Sequence, residues 1–164
     1  MNRESRPIVI RWVFDPALEP DLFADILKRR AIAFLFDLVG ISLLWLLAAV
    51  VVFFLGLATF GLAWMIYPAL WPILGVLYTV SGLAGPASAT VGMRAMGLAM
   101  RTHDGARPDP LRALLHVVVF YVLTVGLTPL VHVVGLFDAR RRLLHDMIVG
   151  VVLLDGRVLA MTGR

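Results

Sequence analysis

Two long stretches of the chain carry no Asp, Glu, Lys or Arg. The first covers positions 38 to 93, which is 56 residues, and the second covers positions 113 to 137, which is 25 residues and includes His116 and His132. A helix that crosses a bilayer needs about 20 predominantly apolar residues. Because lipid offers no hydrogen-bond partners, the spanning segment must satisfy its own backbone, as a helix does. The pattern predicts two helical spans in the first stretch and one apolar helical segment in the second.

The break between the first two spans is predicted at 56–61, where two glycines and a threonine fall within six residues. The first span then covers about Ile32 to Leu55, and the second about Leu62 to Leu83. Pro68 and Pro72 lie in the second span. Since each proline removes a backbone donor and crowds the carbonyl four residues earlier, we expect a kink there.

The path of the third apolar segment is open between two alternatives. A single crossing would put the arginines at 140–142 outside, against the tendency of basic residues to stay on the cytoplasmic side. A return at 126–129 would keep them inside, although the limbs 113–125 and 130–136 are each too short to cross alone. The segments on either side of the first two spans are both basic, which predicts a cytoplasmic N-terminus: Arg3, Arg6, Arg11, Lys28, Arg29 and Arg30 before them, Arg94, Arg101, Arg107 and Arg112 after them.

Three shorter elements are predicted outside the spans. Residues 20–28 place apolar side chains on one helical face, which favours a short amphipathic helix on the membrane surface over a solvated stub: Leu22, Phe23, Ile26 and Leu27. Charges before the first span leave no apolar core for a signal peptide. Residues 97–101 predict a strand that enters a turn, and 147–154 are too short to span, which predicts a strand or an interfacial segment. We expect these last two to pair.

Composition agrees with a membrane protein and narrows the chemistry. The chain is 60% hydrophobic and 16% charged, with a mean hydropathy of +0.90, whereas soluble domains carry about 25% charged residues. Cysteine is absent, which excludes disulfides and thiolate chemistry. The sequence has no phosphate-binding loop, zinc-protease or nucleophile-elbow motif, so we expect no enzyme activity, cofactor or metal. Boundary arginines facing anionic lipid explain the net charge of +4 without a nucleic-acid partner.

Arg30, Ala33 and Asp37 are spaced three and four residues apart, so they share one helical face. Asp37 lies about 10 Å deeper than Arg30 at 1.5 Å per residue. A carboxylate at the bilayer centre costs about 2.5–3.5 kcal/mol on insertion scales. Asp37 should therefore be paired, protonated or in contact with water. Its candidate partners are basic: Arg30, Arg94, Arg112 and Arg140–Arg142.

The pattern Arg30-x-x-Ala33-x-x-x-Asp37 at the start of a membrane helix resembles the RDD family, which is named for one arginine and two aspartates. Two further stretches resemble that family in the expected order, 89–98 with its Thr, Gly and Gly-Leu, and 141–150 with Arg-Arg-Leu-Leu-His-Asp. The resemblance covers about residues 28 to 155. The family often has Lys where this chain has Met93.

The resemblance implies a small multispanning protein of the bacterial inner membrane. It assigns the family's charges, as a structural motif or an ion or proton site, to Arg30, Asp37 and Asp146. The neighbouring charged residues are secondary candidates: Arg94, Arg112, Arg142 and His145. Family members have been proposed as sodium–proton antiporters and as assembly factors for membrane complexes. Contact between Arg30 and Asp146 would require the tail to lie on the N-terminal side of the membrane.

We therefore predict an all-α integral membrane protein with three apolar helical segments, the third kinked or re-entrant, and a short amphipathic N-terminal helix. Residues 1–29 form a cytoplasmic or interfacial segment, 30–155 an RDD-like transmembrane domain, and 156–164 a tail. The function favoured is an accessory or scaffold subunit that binds other membrane proteins or copies of itself, since three segments give little wall for a transport path. The alternative is a cation (Na+)/proton antiporter that uses Asp37.

The groups that surround Asp37 distinguish these functions. A close ion pair with an arginine favours a structural role, whereas a water-filled cavity favours transport. Each charge also has a simpler interpretation. Arg30 can be a positive-inside anchor, and the pair at 145–146 can be structural. His116 and His132 are more often packing histidines than proton carriers.

Overall fold

The computed structural model describes residues 13–127 and 134–163, the side chain of Leu127 excepted. Some of the expectations above lie outside the described residues: those for Arg3, Arg6, Arg11 and His132, and for a return at Thr128–Pro129.

The first apolar stretch folds into a helical hairpin. Helix α1 runs over Ile26–Ala58, and its 33 residues are about 50 Å long at 1.5 Å per residue. The chain turns at Phe60 and Gly61, both with positive φ, passes through a 3-10 segment at Leu62–Ile66, and continues as α2 over Tyr67–Leu83. The predicted break at 56–61 is confirmed.

Two helical segments are long and apolar enough to cross a membrane, Pro20–Ala58 and Leu62–Leu83. Only 6% and 11% of their most apolar windows are buried within the protein. A core helix of a soluble protein would be covered instead, so this exposure favours lipid as the surrounding medium. Pro68 stands in the first turn of α2, where its missing N–H is not needed. Pro72 lies inside the helix.

The rest of the described chain forms short elements and one longer helix. In order these are α3 Val91–Ala95, β1 Leu98–Thr102, α4 Pro110–Leu127, α5 Val134–Phe137, α6 Leu144–Val149, β2 Val151–Asp155 and α7 Gly156–Met161. They gather at the end of α1 that carries Arg29 and Arg30, which we call the basal end.

The third apolar segment begins and ends at the basal end. Near the start of α4, His116 lies 3.6 Å from Asp146, which contacts Arg30 of α1. Further along α4, the Tyr121 hydroxyl approaches Gly75 in the middle of α2. At α5 the chain is back beside the first turn of α1, where a Cβ on Gly135 would lie 3.1 Å from Leu27. The arginines at 140–142 therefore lie at the same end of the molecule as the N-terminal segment, as the re-entrant alternative requires.

The all-α prediction omits a two-stranded sheet. Strands β1 and β2 pair antiparallel, with Leu98 opposite Asp155 and Thr102 opposite Val151. The expected pairing of 97–101 with the segment 147–154 is thus confirmed for residues 151–154, whereas residues 147–149 belong to α6.

Both faces of the ribbon are covered, because alternate strand residues point to opposite sides. One face joins the core beneath α1, α2 and α4: Leu98, Met100, Val151 and Leu153. The other joins a second core with the N-terminal segment and α7: Ala99, Val152, Leu154, Phe14 and Leu159. The ribbon is the platform on which the basal charges are arranged.

The predicted amphipathic surface helix at 20–28 needs a correction. Residues Pro20–Phe23 form a 3-10 turn, and α1 begins at Ile26. Leu22, Phe23 and Ile26 are buried, since they pack on β2 and α7 in the two cores. The apolar pattern was correctly identified, but protein rather than a membrane surface covers it.

Candidate functional site

The basal charge cluster is built on Arg30 and Asp146. Arg30 lies in the second turn of α1, and both of its terminal nitrogens donate to the two carboxylate oxygens of Asp146. Asp146 is fully buried in α6 and also accepts the backbone N–H of Leu143 at 2.8 Å, which fixes the start of that helix. Burial acts to raise the pKa of the Asp146 carboxyl, but the charge and hydrogen bonds of Arg30 hold it well below its usual range.

Two histidines complete the cluster. An Arg30 terminal nitrogen lies 2.8 Å from His145 Nε2. Because a guanidinium can only donate, Nε2 must be the acceptor and the His145 proton belongs on Nδ1. His116 of α4 stacks edge-on against His145, with ring centroids 4.8 Å apart. Its Nδ1 is buried, has no hydrogen-bond partner among the described residues, and lies 3.6 Å from Asp146.

His116, His145 and Asp146 are the residues here that could hold a metal, since their ligand atoms lie within 4.8 Å of one another. The donor set of two imidazoles and a carboxylate suits a divalent transition metal. Arg30 already donates to the lone pair of His145 and to both oxygens of Asp146. A metal ion would have to displace this guanidinium. The positive charge within the cluster comes from Arg30.

Asp37 forms a second, separate junction. Its two carboxylate oxygens accept three hydrogen bonds, from the Tyr78 hydroxyl at 2.6 Å, the Thr90 hydroxyl at 2.5 Å and the Gly92 N–H at 2.7 Å. Tyr78 belongs to α2, whereas Thr90 caps the start of α3. None of the arginines predicted as partners contacts this carboxylate within the described structure. Asp37 thus ties α1 to α2 and α3 through neutral donors.

One cavity connects the two charged sites. It has a volume of about 370 Å³ and lies between α1, α2 and α4. Arg30, His116 and Asp37 all contribute to its walls. Its other lining residues are mainly apolar or aromatic: Phe34, Trp71, Phe120 and Tyr121. Such a volume is within the range of small-molecule sites.

The remaining candidates from the sequence lie elsewhere. Arg142 is bonded to Asp138 four residues earlier, at 2.8 and 2.9 Å, and this hydrogen bond lowers the pKa of the Asp138 carboxyl. Arg94 is exposed on α3. Arg112 lies in the first turn of α4, where its backbone N–H is capped by Asp109 at 2.8 Å. Of the secondary candidates, His145 alone joins the Arg30–Asp146 pair.

Sequence reasoning missed a third charged junction, between Arg29 and Asp155. The two side chains are 2.5 Å apart, and Arg29 also donates to the carbonyls of Met96 and Gly97. These bonds connect α1 to the two residues between α3 and β1, and to the end of β2. The run Lys28-Arg29-Arg30 was the available signal. It was interpreted only as a set of basic residues that favour the cytoplasmic side of the membrane.

These features define a helical membrane protein whose basal end is closed by buried charge pairs over a small β-ribbon. The RDD family model matches residues 24–150, more than three quarters of the chain, and the chain belongs to the RDD family. The match confirms the resemblance carried by Arg30, Asp37 and Asp146. No curated protein and no solved structure matches the chain.

Proposed function

We propose that this chain is an accessory or scaffold subunit, in which the family's charges hold the fold and the exposed helix surfaces contact other membrane proteins or further copies of the chain. The engagement of Asp37 carries this proposal. A carboxylate that exchanges cations or protons must release its donors, and each buried donor left without a partner costs about 1–3 kcal/mol. Asp37 has three donors on two other helices, and those of Thr90 and Gly92 belong to buried residues, which suits a permanent junction.

The surface of α1 supports contact with other helices. An exposed apolar row runs along its second half at spacings of four, three and four residues: Leu43, Leu47, Val50 and Phe54. Residues at such spacing share one helical face. This row lies in the segment that is long and apolar enough to span, where lipid or another apolar helix can cover it.

A photo-crosslinking side chain at Leu47, used in native membranes, tests this proposal. We expect one discrete adduct, either twice the mass of the chain or a partner identified by mass spectrometry. Leu18 is the control position, because it is an exposed leucine that lies outside the two apolar stretches. Adducts with lipid alone at Leu47, or the same adduct from Leu18, would contradict a scaffold role for α1.

The 370 Å³ cavity favours a second candidate, cation/proton exchange, because Asp37, Arg30 and His116 share its wall. The test is sodium-driven proton movement in proteoliposomes that hold the purified chain. Exchange that is lost in Asp37→Asn and kept in Asp21→Asn, an exposed carboxylate, would favour transport. A wild-type chain without exchange, or full exchange in Asp37→Asn, would remove this candidate.

We further propose that the basal end faces the cytoplasm in the bacterial inner membrane. Support comes from the basic residues, which gather at this end and favour the cytoplasmic side. Arg29, Arg30 and Arg142 belong to this set, as does Arg101 of β1. Anionic headgroups of that leaflet would then be the lipid partner of the chain.

A further inference from the structure

Four arginines line one cleft at the basal end. Arg94 comes from α3, Arg101 from β1, Arg107 from the loop after β1, and Arg157 from α7. The cleft has a volume of about 480 Å³, and none of the described residues that line it is acidic. These four arginines are called the arginine cleft below.

The positive charge of the arginine cleft is not compensated within the described chain. The ion pairs of residues 13–127 and 134–163 involve none of the four arginines. The neighbouring carboxylate, Asp155, is already bonded to Arg29 at 2.5 Å. Each exposed arginine is screened by water, but four that converge on one concave surface create a focused positive potential.

Arg101 is the unusual member, because it is buried. Its exposed fraction is 8%, and it lies on the same face of β1 as Ala99, next to the second core. One terminal nitrogen donates to the Met100 carbonyl at 2.9 Å, whereas a guanidinium has five N–H donors. Burial first, and then the charge of Arg107, lower the pKa of Arg101. A nearby anion would offset both effects.

We propose that the arginine cleft binds a phosphate group. Arginine is suited to this ligand because its planar, forked donors match two phosphate oxygens at once. The buried Arg101 supplies a fixed donor at the base of the site, and the three exposed arginines supply charge around the mouth. None of these residues takes part in the Arg30 and Asp37 junctions, so the inference is independent of the scaffold and exchange proposals, and its lipid source rests on the proposed contact of the basal end with anionic headgroups.

The position of the cleft favours the headgroup of an anionic phospholipid as the source of that phosphate. Pro86 and Ala87 also line the cleft, and they follow the end of α2 at Leu83 by three and four residues. Because α2 belongs to an apolar segment long enough to cross, its end lies close to the headgroup layer. A soluble phosphate compound has the same chemistry and is the other source to be tested.

The experiment uses the full chain, purified in a neutral detergent and freed of lipid. Thermal unfolding and native mass spectrometry are followed with added phosphatidylglycerol, phosphatidylcholine or inorganic phosphate, at constant ionic strength. We expect one phosphatidylglycerol bound per chain and a raised Tm, with little effect from phosphatidylcholine. Arg107→Gln, which changes an exposed residue, should weaken phosphatidylglycerol binding about tenfold. Arg112→Gln removes the same charge outside the cleft and should leave the binding affinity unchanged.

Arg101→Met is the second variant, because it replaces a buried charge with an apolar side chain of similar length. It should keep the ligand-free Tm, since removal of an unpaired buried charge does not destabilise, and it should lose the lipid-dependent shift. If inorganic phosphate raises the Tm and phosphatidylglycerol does not, the arginine cleft is a phosphate site whose ligand is a soluble compound. The proposal is overturned when no phosphate probe shifts the wild type, or when Arg112→Gln weakens binding as much as Arg107→Gln.

Discussion

Asp37 is the residue at which three helices meet. Its carboxylate accepts hydrogen bonds from Tyr78 of α2 and from Thr90 and Gly92 at the start of α3. In Asp37→Asn an amide N–H₂ replaces one acceptor oxygen, so a hydroxyl or N–H that donated to that oxygen loses its acceptor. We expect a loss of about 1–3 kcal/mol in the free energy of unfolding, measured in detergent by chemical denaturation.

Two variants calibrate that result. Asp21→Asn changes an exposed carboxylate and should have little effect. Tyr78→Phe removes one of the three donors and should cost less than Asp37→Asn, because it leaves no donor without an acceptor. Equal stabilities of Asp37→Asn and Asp21→Asn would show that the junction contributes nothing to the fold.

The partners of Asp37 also show what a sequence can and cannot reveal about single residues. The cost of a carboxylate near lipid follows from its position alone, so the need for partners was predictable. Their identity was not, since Tyr78 and Thr90 lie 41 and 53 residues further along the chain. A search for opposite charges favoured arginines, whereas neutral hydroxyls and a backbone N–H satisfy the carboxylate equally well. Arg30 and Asp146 were found together only because the family motif contains both.

At the scale of elements, the contact between α1 and α3 depends on Gly92. A Cβ at this position would overlap the carbonyl oxygen of Ala33 and lie 2.9 Å from Asp37. Because both neighbours belong to α1, whose backbone cannot move independently, Gly92→Ala should push α3 away and weaken the Asp37 junction. We expect a loss of about 1–3 kcal/mol, as for overpacking in a core, measured by the same unfolding assay.

Gly126→Ala is the matched control for this prediction. A Cβ on Gly126 in α4 meets nothing within 4 Å among the described residues. Alanine is favoured over glycine within a helix by roughly 1 kcal/mol, so this variant should be neutral or stabilising. If both glycine variants behaved alike, close helix approach at Gly92 would not be the cause.

The junction of α1 with the β-ribbon should depend on pH through Asp155. Burial acts to raise the pKa of this carboxyl, but hydrogen bonds from Arg29 and from the backbone of α7 lower it overall. A folded-state pKa below the unfolded value of about 3.9 stabilises the fold above pH 4. That contribution is lost as the pH falls from about 4 through the folded-state value. The wild type should therefore lose more Tm than Asp155→Asn between about pH 5 and 3; parallel curves would contradict the role of this pair.

The elements differ in how well their sequence predicts them. The spans and the break at 56–61 were predictable, because long uncharged runs and paired glycines are local signals. The strands were predictable as short apolar runs beside turns. The burial of Leu22 and Phe23 by protein was not predictable, because an apolar helical face fits a membrane surface as well as a protein core. Burial by β2 and α7 depends on residues more than 120 positions away, which no local pattern contains.

At the scale of the whole molecule, the ion pairs constrain topology. Arg30 with Asp146, and Arg29 with Asp155, join the start of α1 to the last elements of the chain. Both ends of the described chain therefore lie at the basal end, while the turn at Phe60 lies at the other end of α1. If α1 crosses the bilayer, these two regions face opposite compartments.

Cysteine labelling can test this arrangement directly, since the chain has no cysteine of its own. Leu18→Cys and Thr162→Cys are exposed positions at the basal end, and Phe60→Cys is fully exposed at the tip of the hairpin. With a membrane-impermeant maleimide we expect the first two to react from one side and Phe60→Cys from the other, because the buried pairs join the start of α1 to α6 and β2. Permeabilised membranes, in which all three should react, provide the control. Labelling of Leu18→Cys and Thr162→Cys from opposite sides would separate Arg30 from Asp146 and contradict the charge cluster at the basal end.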